Sequence, residues 1–116
     1  MWQVLYLPDA ETERQKLPAG ERAALDHAVA KLQQIGPNLG SPHSSAVRGM
    51  HRNLRELRPR QGRYPFRAIY ARVDDVFVIG AICPEAVKDS RGFERGCDDA
   101  ARRLADLEES GGGNRS

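Results

Sequence analysis

The chain begins with "WQVLYL", a β-rich run stopped at Pro8, which predicts a short first strand followed by a charged connection. From Pro18 to Ile35 the period changes. Leu25, Ala28, Val29, Leu32 and Ile35 return at spacings of three and four, Pro18 suits a first helical turn, and "GPNLG" closes the helix. The polar stretch "SPHSSAVRGMHRN" predicts a turn or one short helical piece. Three strand-like runs follow: "LRELRPR", "YPFRAIYARV" and "DVFVIGAI". The first pair is joined through "QGRY" and the second through "DD", a tight hairpin turn without the usual glycine. The third run is continuously apolar, as a central strand covered on both faces should be. After "CPEAVKD" a second helix is predicted, capped by Asp89 or Ser90, with Phe93, Cys97, Ala101, Leu104 and Leu107 as its buried stripe. The order β, α, β, β, β, α predicts an α+β domain with helices packed on a small antiparallel sheet.

Length limits the architecture further. With 116 residues there is room for one core, so residues 1–110 are read as a single domain and 111–116, within "SGGGNRS", as a flexible tail. The longest apolar run, "VFVIGAI", is far shorter than a membrane span, and "MWQVLYLPDAETE" does not read as a secretory leader. A cytoplasmic protein is expected. Cys83 and Cys97 have neither zinc-ligand nor redox-pair spacing and are read as reduced thiols.

Net charge is only +2, but it is unevenly distributed. Between Arg48 and Arg72 stand eight arginines and one acid, Glu56, giving +7; the rest of the chain sums to −5. A basic hairpin set in an acidic body is the footprint of a protein that neutralises phosphates. Solubility alone would be served equally by lysine, and this segment contains none. The planar fork of arginine suits bidentate phosphate contact and base stacking.

Alternation along the first basic strand places Glu56, Arg58 and Arg60 opposite Arg55 and Leu57. If Arg58 and Arg67 share a sheet face, two guanidinium groups converge where they can hold a phosphodiester and stabilise the charge that develops on cleavage. His51 lies near the basic segment and is a candidate for proton transfer, while His27 on the first helix reads as structural. Lys88 and Arg91, between the apolar strand and the last helix, reach the edge of such a site or are ordinary loop charges. The acid pairs at 74–75 and 98–99 read as a turn and a solvated helix face, so no metal ligand set is expected. No nucleophile elbow, zinc-protease motif or phosphate-binding glycine loop is present in the sequence.

"LGSPHSSAVRGMHRNLRELRP", "FRAIYARVDDVFVIGAI" and a Lys-containing loop into a final helix together resemble the RelE/ParE superfamily of type II toxins, most closely its HigB and phage-derived branch. The likeness is strongest at "NLRELRP" and "FRAIY". It implies a RelE-like fold and a ribosome-dependent, metal-independent endoribonuclease that cuts messenger RNA, needs no cofactor and blocks translation. It also implies a cognate antitoxin, of the helix-turn-helix HigA type, that holds the toxin inactive. By position, Arg58 and Arg67 match the family's strand residues at the scissile phosphate, Lys88 falls in its basic loop, and Arg48 takes the place of a basic residue before the strand. Arg48, His51, Arg55, Arg60, Arg63, Arg72 and Arg91 are then the expected RNA-docking set. The loop "ICPEAVKDSRGF" departs from the family, with Pro84 and Glu85 where glycine and basic residues are usual, which leaves the general base open, with Lys88 or His51 expected to handle the proton. Two rivals stand beside this reading: a ParE-like inhibitor of DNA gyrase, and a non-catalytic RNA-binding or corepressor protein.

Overall fold

In a computed structural model the structure describes residues 1–49, 51 and 53–113. Its elements are β1 (Gln3–Tyr6), α1 (Pro8–Gln15), α2 (Ala19–Ile35), β2 (Ser44–Ala46), β3 (Arg55–Leu57), β4 (Phe66–Val73), β5 (Val76–Pro84) and α3 (Ser90–Gly113). The class is α+β, as the sequence predicts. The sheet has five strands in the order β1-β5-β4-β3-β2. It is mixed rather than antiparallel throughout, because β1 runs parallel to β5, with Gln3 opposite Val76 and Tyr6 opposite Ile79.

Two apolar layers enclose the sheet. On one face Leu25 and Leu32 of α2 and Ala10 of α1 pack against Leu57, Phe66, Ala68, Tyr70, Phe77 and Ile79. On the other, Cys97, Ala100 and Leu104 of α3 pack against Ile69, Ala71, Val78, Ala81 and Cys83. The continuous apolar run of β5 is thus explained: alternate residues serve opposite layers, as expected of a central strand.

Four local expectations change. The charged connection after Pro8 is the helix α1, with Pro8 in its first turn. Only Ala10 is buried along it, so the sequence carries no apolar stripe to betray a helix. The polar "SSA" is an edge strand; Ser44 is buried and its hydroxyl meets that of Tyr70 at 2.5 Å. β3 ends at Leu57, because Pro59 opens a 3-10 turn in which Arg60 and Gln61 take left-handed backbone angles, φ 53° and 58°. Arg60 therefore does not continue the alternation of β3. Ile35 and Leu107, expected in buried stripes, are exposed.

Other expectations hold. Asp74 takes φ 55° in the two-residue turn between Val73 and Val76, a conformation aspartate tolerates better than most residues. Asp89 caps α3, its Oδ1 accepting from the Gly92 amide at 2.9 Å. α3 reaches Gly113, into the stretch read as a tail, and residues 114–116 lie outside the described ones.

The pairing of β4 with β5 shifts register at Ile69/Tyr70, leaving Gly80 unpaired between Ile79 and Ala81. Its carbonyl accepts from Arg103 of α3 at 2.9 Å, and Arg103 also forks onto the Glu13 carboxylate of α1 at 3.1 and 3.2 Å. The same carboxylate accepts from the Ile82 amide at 3.0 Å. This clamp satisfies the edge of β5 beyond the reach of β1, where unpaired amides would otherwise stand open.

Candidate active site

Arg58 and Arg67 do converge, and a carboxylate joins them. Glu56, the single acid of the basic segment, points from β3 to the α3 side of the sheet, where its Oε1 accepts from Arg58 Nε and from Arg67 Nε, both at 3.2 Å. Register explains the meeting: Glu56 lies opposite Ile69 on β4, and Arg67 is two residues back on the same face.

The two arginines differ in what remains available. Arg67 is only 5% exposed. Its Nη1 donates to the carbonyls of Tyr64 and Phe66 at 2.9 Å each, and its Nη2 donates to Glu85 Oε2 at 2.8 Å. Four of its five N–H groups are committed inside the fold, between two carboxylates. Arg58 keeps a third of its side chain exposed and bonds Glu56 through Nε, and among the described residues its terminal nitrogens have no hydrogen-bond partner. Glu85, which stands where the family pattern has a basic residue, is the second anchor of Arg67.

Beneath this cluster lie the two thiols. Burial, aided by Cys97 and Glu56, pushes the Cys83 thiol far up; burial, then Glu56, pushes Cys97 up to about 11. Both stay protonated near neutrality, which makes them packing groups rather than nucleophiles.

Of the remaining predicted residues, Arg60 shares a cleft with Arg58, and the others lie elsewhere. Lys88 is exposed and lines a separate cleft with Glu13, Lys16 and Glu21. His51 Nε2 donates to Asp98 Oδ1 of α3 at 2.8 Å, beside Arg48 and Phe93 in a groove of about 380 Å³. Asp98 is therefore tied to the β2–β3 connection and is not simply a solvated helix charge. Arg91 is exposed in the first turn of α3. Arg55 and Arg72 point to the opposite sheet face: Arg55 binds the Ser44 hydroxyl at 3.0 Å, and Arg72 lies 4.9 Å over the Trp2 ring. Arg60 and Arg63 are exposed on the turn between β3 and β4.

Sequence reasoning passed over Glu56 and Glu85 as site members. A signal existed for Glu56, since a lone acid among eight arginines is an obvious counter-ion. For Glu85 there was none, because its partner is 18 residues away.

Residues 13–83, well over half of the chain, match the family described as phage derived protein Gp49-like (DUF891). No curated protein matches the sequence. Among solved structures, the free-state mutant of E. coli toxin RelE is similar with a TM-score of 0.64 at 17% identity, over 89% of this chain and 97% of that one. A chain of the RelBE toxin–antitoxin complex from Mycobacterium tuberculosis is similar at TM-score 0.56 and 19% identity, over 70% of this chain and 94% of that one. A chain of the YoeB–YefM complex from Staphylococcus aureus gives TM-score 0.56 at 12% identity, over 71% and 94%. The five-stranded sheet with α1 and α2 on one face and α3 on the other is the RelE fold, and the chain belongs to the phage-derived Gp49-like family.

Proposed function

We propose that this protein is the toxin of a type II toxin–antitoxin pair and a ribosome-dependent endoribonuclease that cuts messenger RNA without a metal. The observation that carries the reading is the Arg58–Glu56–Arg67 cluster on the RelE-like sheet. Support for the family branch, the HigB-like one, and for a HigA-type antitoxin comes from the sequence resemblance; toxin–antitoxin complexes among the similar structures support an antitoxin partner.

The chemistry follows from the side chains. A 2′-hydroxyl gives up its proton and attacks its own adjacent phosphate, the bond from phosphorus to the 5′-oxygen breaks with that oxygen taking a proton from water, and a 2′,3′-cyclic phosphate remains. Arg58 binds the phosphate and stabilises the charge of the transition state. Arg67, held on both sides, orients Glu56 rather than reaching the substrate. Glu56 takes the place that Lys88 or His51 was expected to fill, as the proton acceptor within reach of a phosphate on Arg58. A carboxylate is a weak base for a hydroxyl, so alignment of the message must supply much of the rate, worth about 10⁵ or more in effective molarity in favourable cases. The ribosome is what would impose that alignment.

The test is single-turnover cleavage of ribosome-bound message in the presence of EDTA, with mapping of the cut ends. Arg58→Ala and Glu56→Gln should each slow cleavage by ~10²-fold or more, with ribosome binding retained. Wild-type rates in both would remove the proposed site. Inducing the chain alone in a bacterium should stop translation; blocked replication with DNA damage would instead indicate gyrase inhibition. An absence of any growth effect would favour the non-catalytic reading, for which the full internal neutralisation of Arg67 speaks.

A further inference from the structure

Outside the cluster around Glu56, basic side chains gather in a cleft of about 440 Å³ between α2 and the turn that follows β3. Its walls carry His27 and Lys31 from α2, His43 ahead of β2, and Arg58 and Arg60 from the turn region. The sequence separates these groups by up to 33 positions and gave the histidines no role; the fold sets five potential cations around one depression. Among the described residues, no acidic one lines it.

Three further features bear on what the cleft takes. Among the described residues, no side-chain hydrogen bond or ion pair engages His27, Lys31, His43 or Arg60, whereas Arg55, Arg67 and Arg103 are committed within the fold. Spare donors around a hollow are what an anion needs, since a charge-assisted contact is strong only where the donor is not already bound. The floor is the small-residue face of α2, including Ala24 and Ala28, which leaves a flat apolar surface between the charges. Arg58 lines the cleft while its Nε bonds Glu56, so the cleft is continuous with the proposed cutting site.

We propose that this cleft is a second subsite for single-stranded RNA, which takes a neighbouring phosphodiester between Lys31, His27, His43 and Arg60 and lays its nucleoside on the alanine floor. The assignment to RNA rests on the ribonuclease reading; the anion chemistry follows from the lining alone. The subsite gives the strand two points of attachment, and so fixes the direction from which the scissile phosphate reaches Arg58.

Binding can be followed separately from cleavage with a short 2′-O-methyl RNA oligonucleotide, which cannot react, added to the full chain. The C2–H proton resonances of His27 and His43 should move on titration, while that of His51, held by Asp98, stays in place. Lys31→Ala should weaken binding by ~5-fold, and His27→Gln with His43→Gln by a similar factor, with the salt dependence flattened in each. Inorganic phosphate alone should move the same two resonances at much higher concentration. Shifts confined to His51, or unchanged affinity in both the Lys31 variant and the double histidine variant, would overturn the subsite. Adenosine monophosphate binding as tightly as the oligonucleotide would overturn the assignment to a strand. Because the probe is uncleavable, loss of this subsite and loss of the ribonuclease reading give different results: the first leaves Arg58-dependent cutting intact, the second leaves the histidine shifts intact.

Discussion

Arg67 shows why a residue's type and position are not enough to assign it to chemistry. An arginine on a sheet face reads as a ligand for phosphate, yet this one is sealed between Glu56 and Glu85. Removing it leaves Glu85 without a partner and Glu56 with Arg58 alone in a largely buried place, and breaking a buried pair typically costs about 3–5 kcal/mol. Arg67→Ala is therefore expected to lower the urea midpoint sharply, so its loss of activity combines unfolding with the lost positioning of Glu56; Arg58→Ala should leave the midpoint almost unchanged. Equal midpoints for the two would show that the ion pairs of Arg67 contribute nothing. Tyr6 presents a second buried group, with its hydroxyl lacking a partner among the described residues. Burial, opposed by Arg14, pushes it up to about 12 from the usual 10. The folded state thus holds the proton more tightly than the unfolded chain. Its contribution is complete below pH 10 and disappears as pH climbs from 10 to 12, by at most about 2–3 kcal/mol. Tyr6→Phe should flatten the alkaline limb of the stability profile and cost little at neutrality, where it removes an unsatisfied hydroxyl; an unchanged alkaline limb in Tyr6→Phe would refute this.

Among the elements, α3 depends most on small residues. A Cβ at Gly96 would run into the Cys83 side chain, and one at Gly80 would come 3.0 Å from the Ala100 backbone. In an isolated helix Gly→Ala stabilises by about 1 kcal/mol. Here the clash should reverse the sign, so Gly96→Ala is expected to destabilise by about 1–3 kcal/mol, and Cys83→Ala should recover part of that loss in the double variant. Stabilisation by Gly96→Ala in denaturant melts would mean that α3 sits further from β5. The same helix shows what the sequence could tell. Its cap at Asp89 and its stripe through Cys97 and Leu104 were legible, because both are local patterns of period and composition. So were the β4–β5 hairpin and the buried stripe of α2. Not legible were α1, which buries only Ala10 and is held by Glu13 reaching Arg103, 90 positions away, and β2, whose polar "SSA" becomes a strand only because β3 and Tyr70 are beside it. The site divides along the same line. Arg58 and Arg67 on one face followed from alternation and resemblance, whereas Glu85, Lys31, His27 and His43 are brought in by tertiary contacts that no short-range signal records.

For the whole molecule the question is how much of the +7 segment is available to a partner. The sequence shows eight arginines as a single reservoir; Arg52 lies outside the described residues, and the fold distributes the other seven. Arg67 and Arg55 are bonded internally, Arg72 is laid on Trp2 and bonded to the Asp74 carbonyl, and Arg58 is shared with Glu56. Among the described residues Arg48, Arg60 and Arg63 are exposed without an ion pair, and Lys31 joins them across the cleft from Arg60. With Arg58's terminal nitrogens, the described residues make about four or five phosphates to be neutralised rather than eight. For single-stranded RNA the plot of log affinity against log salt should then have a slope of about −3, where eight contacts would give about −5 to −6. Titrations of the oligonucleotide at several salt concentrations decide between them. A slope near −3 that falls by about one unit in Arg60→Ala would mean that the folded distribution of charge governs docking. A slope near −6 would mean that RNA pulls the arginines from their internal carboxylates on binding. Glu56 would then be released as the phosphate arrives, and the cluster described here would be the resting form of the site.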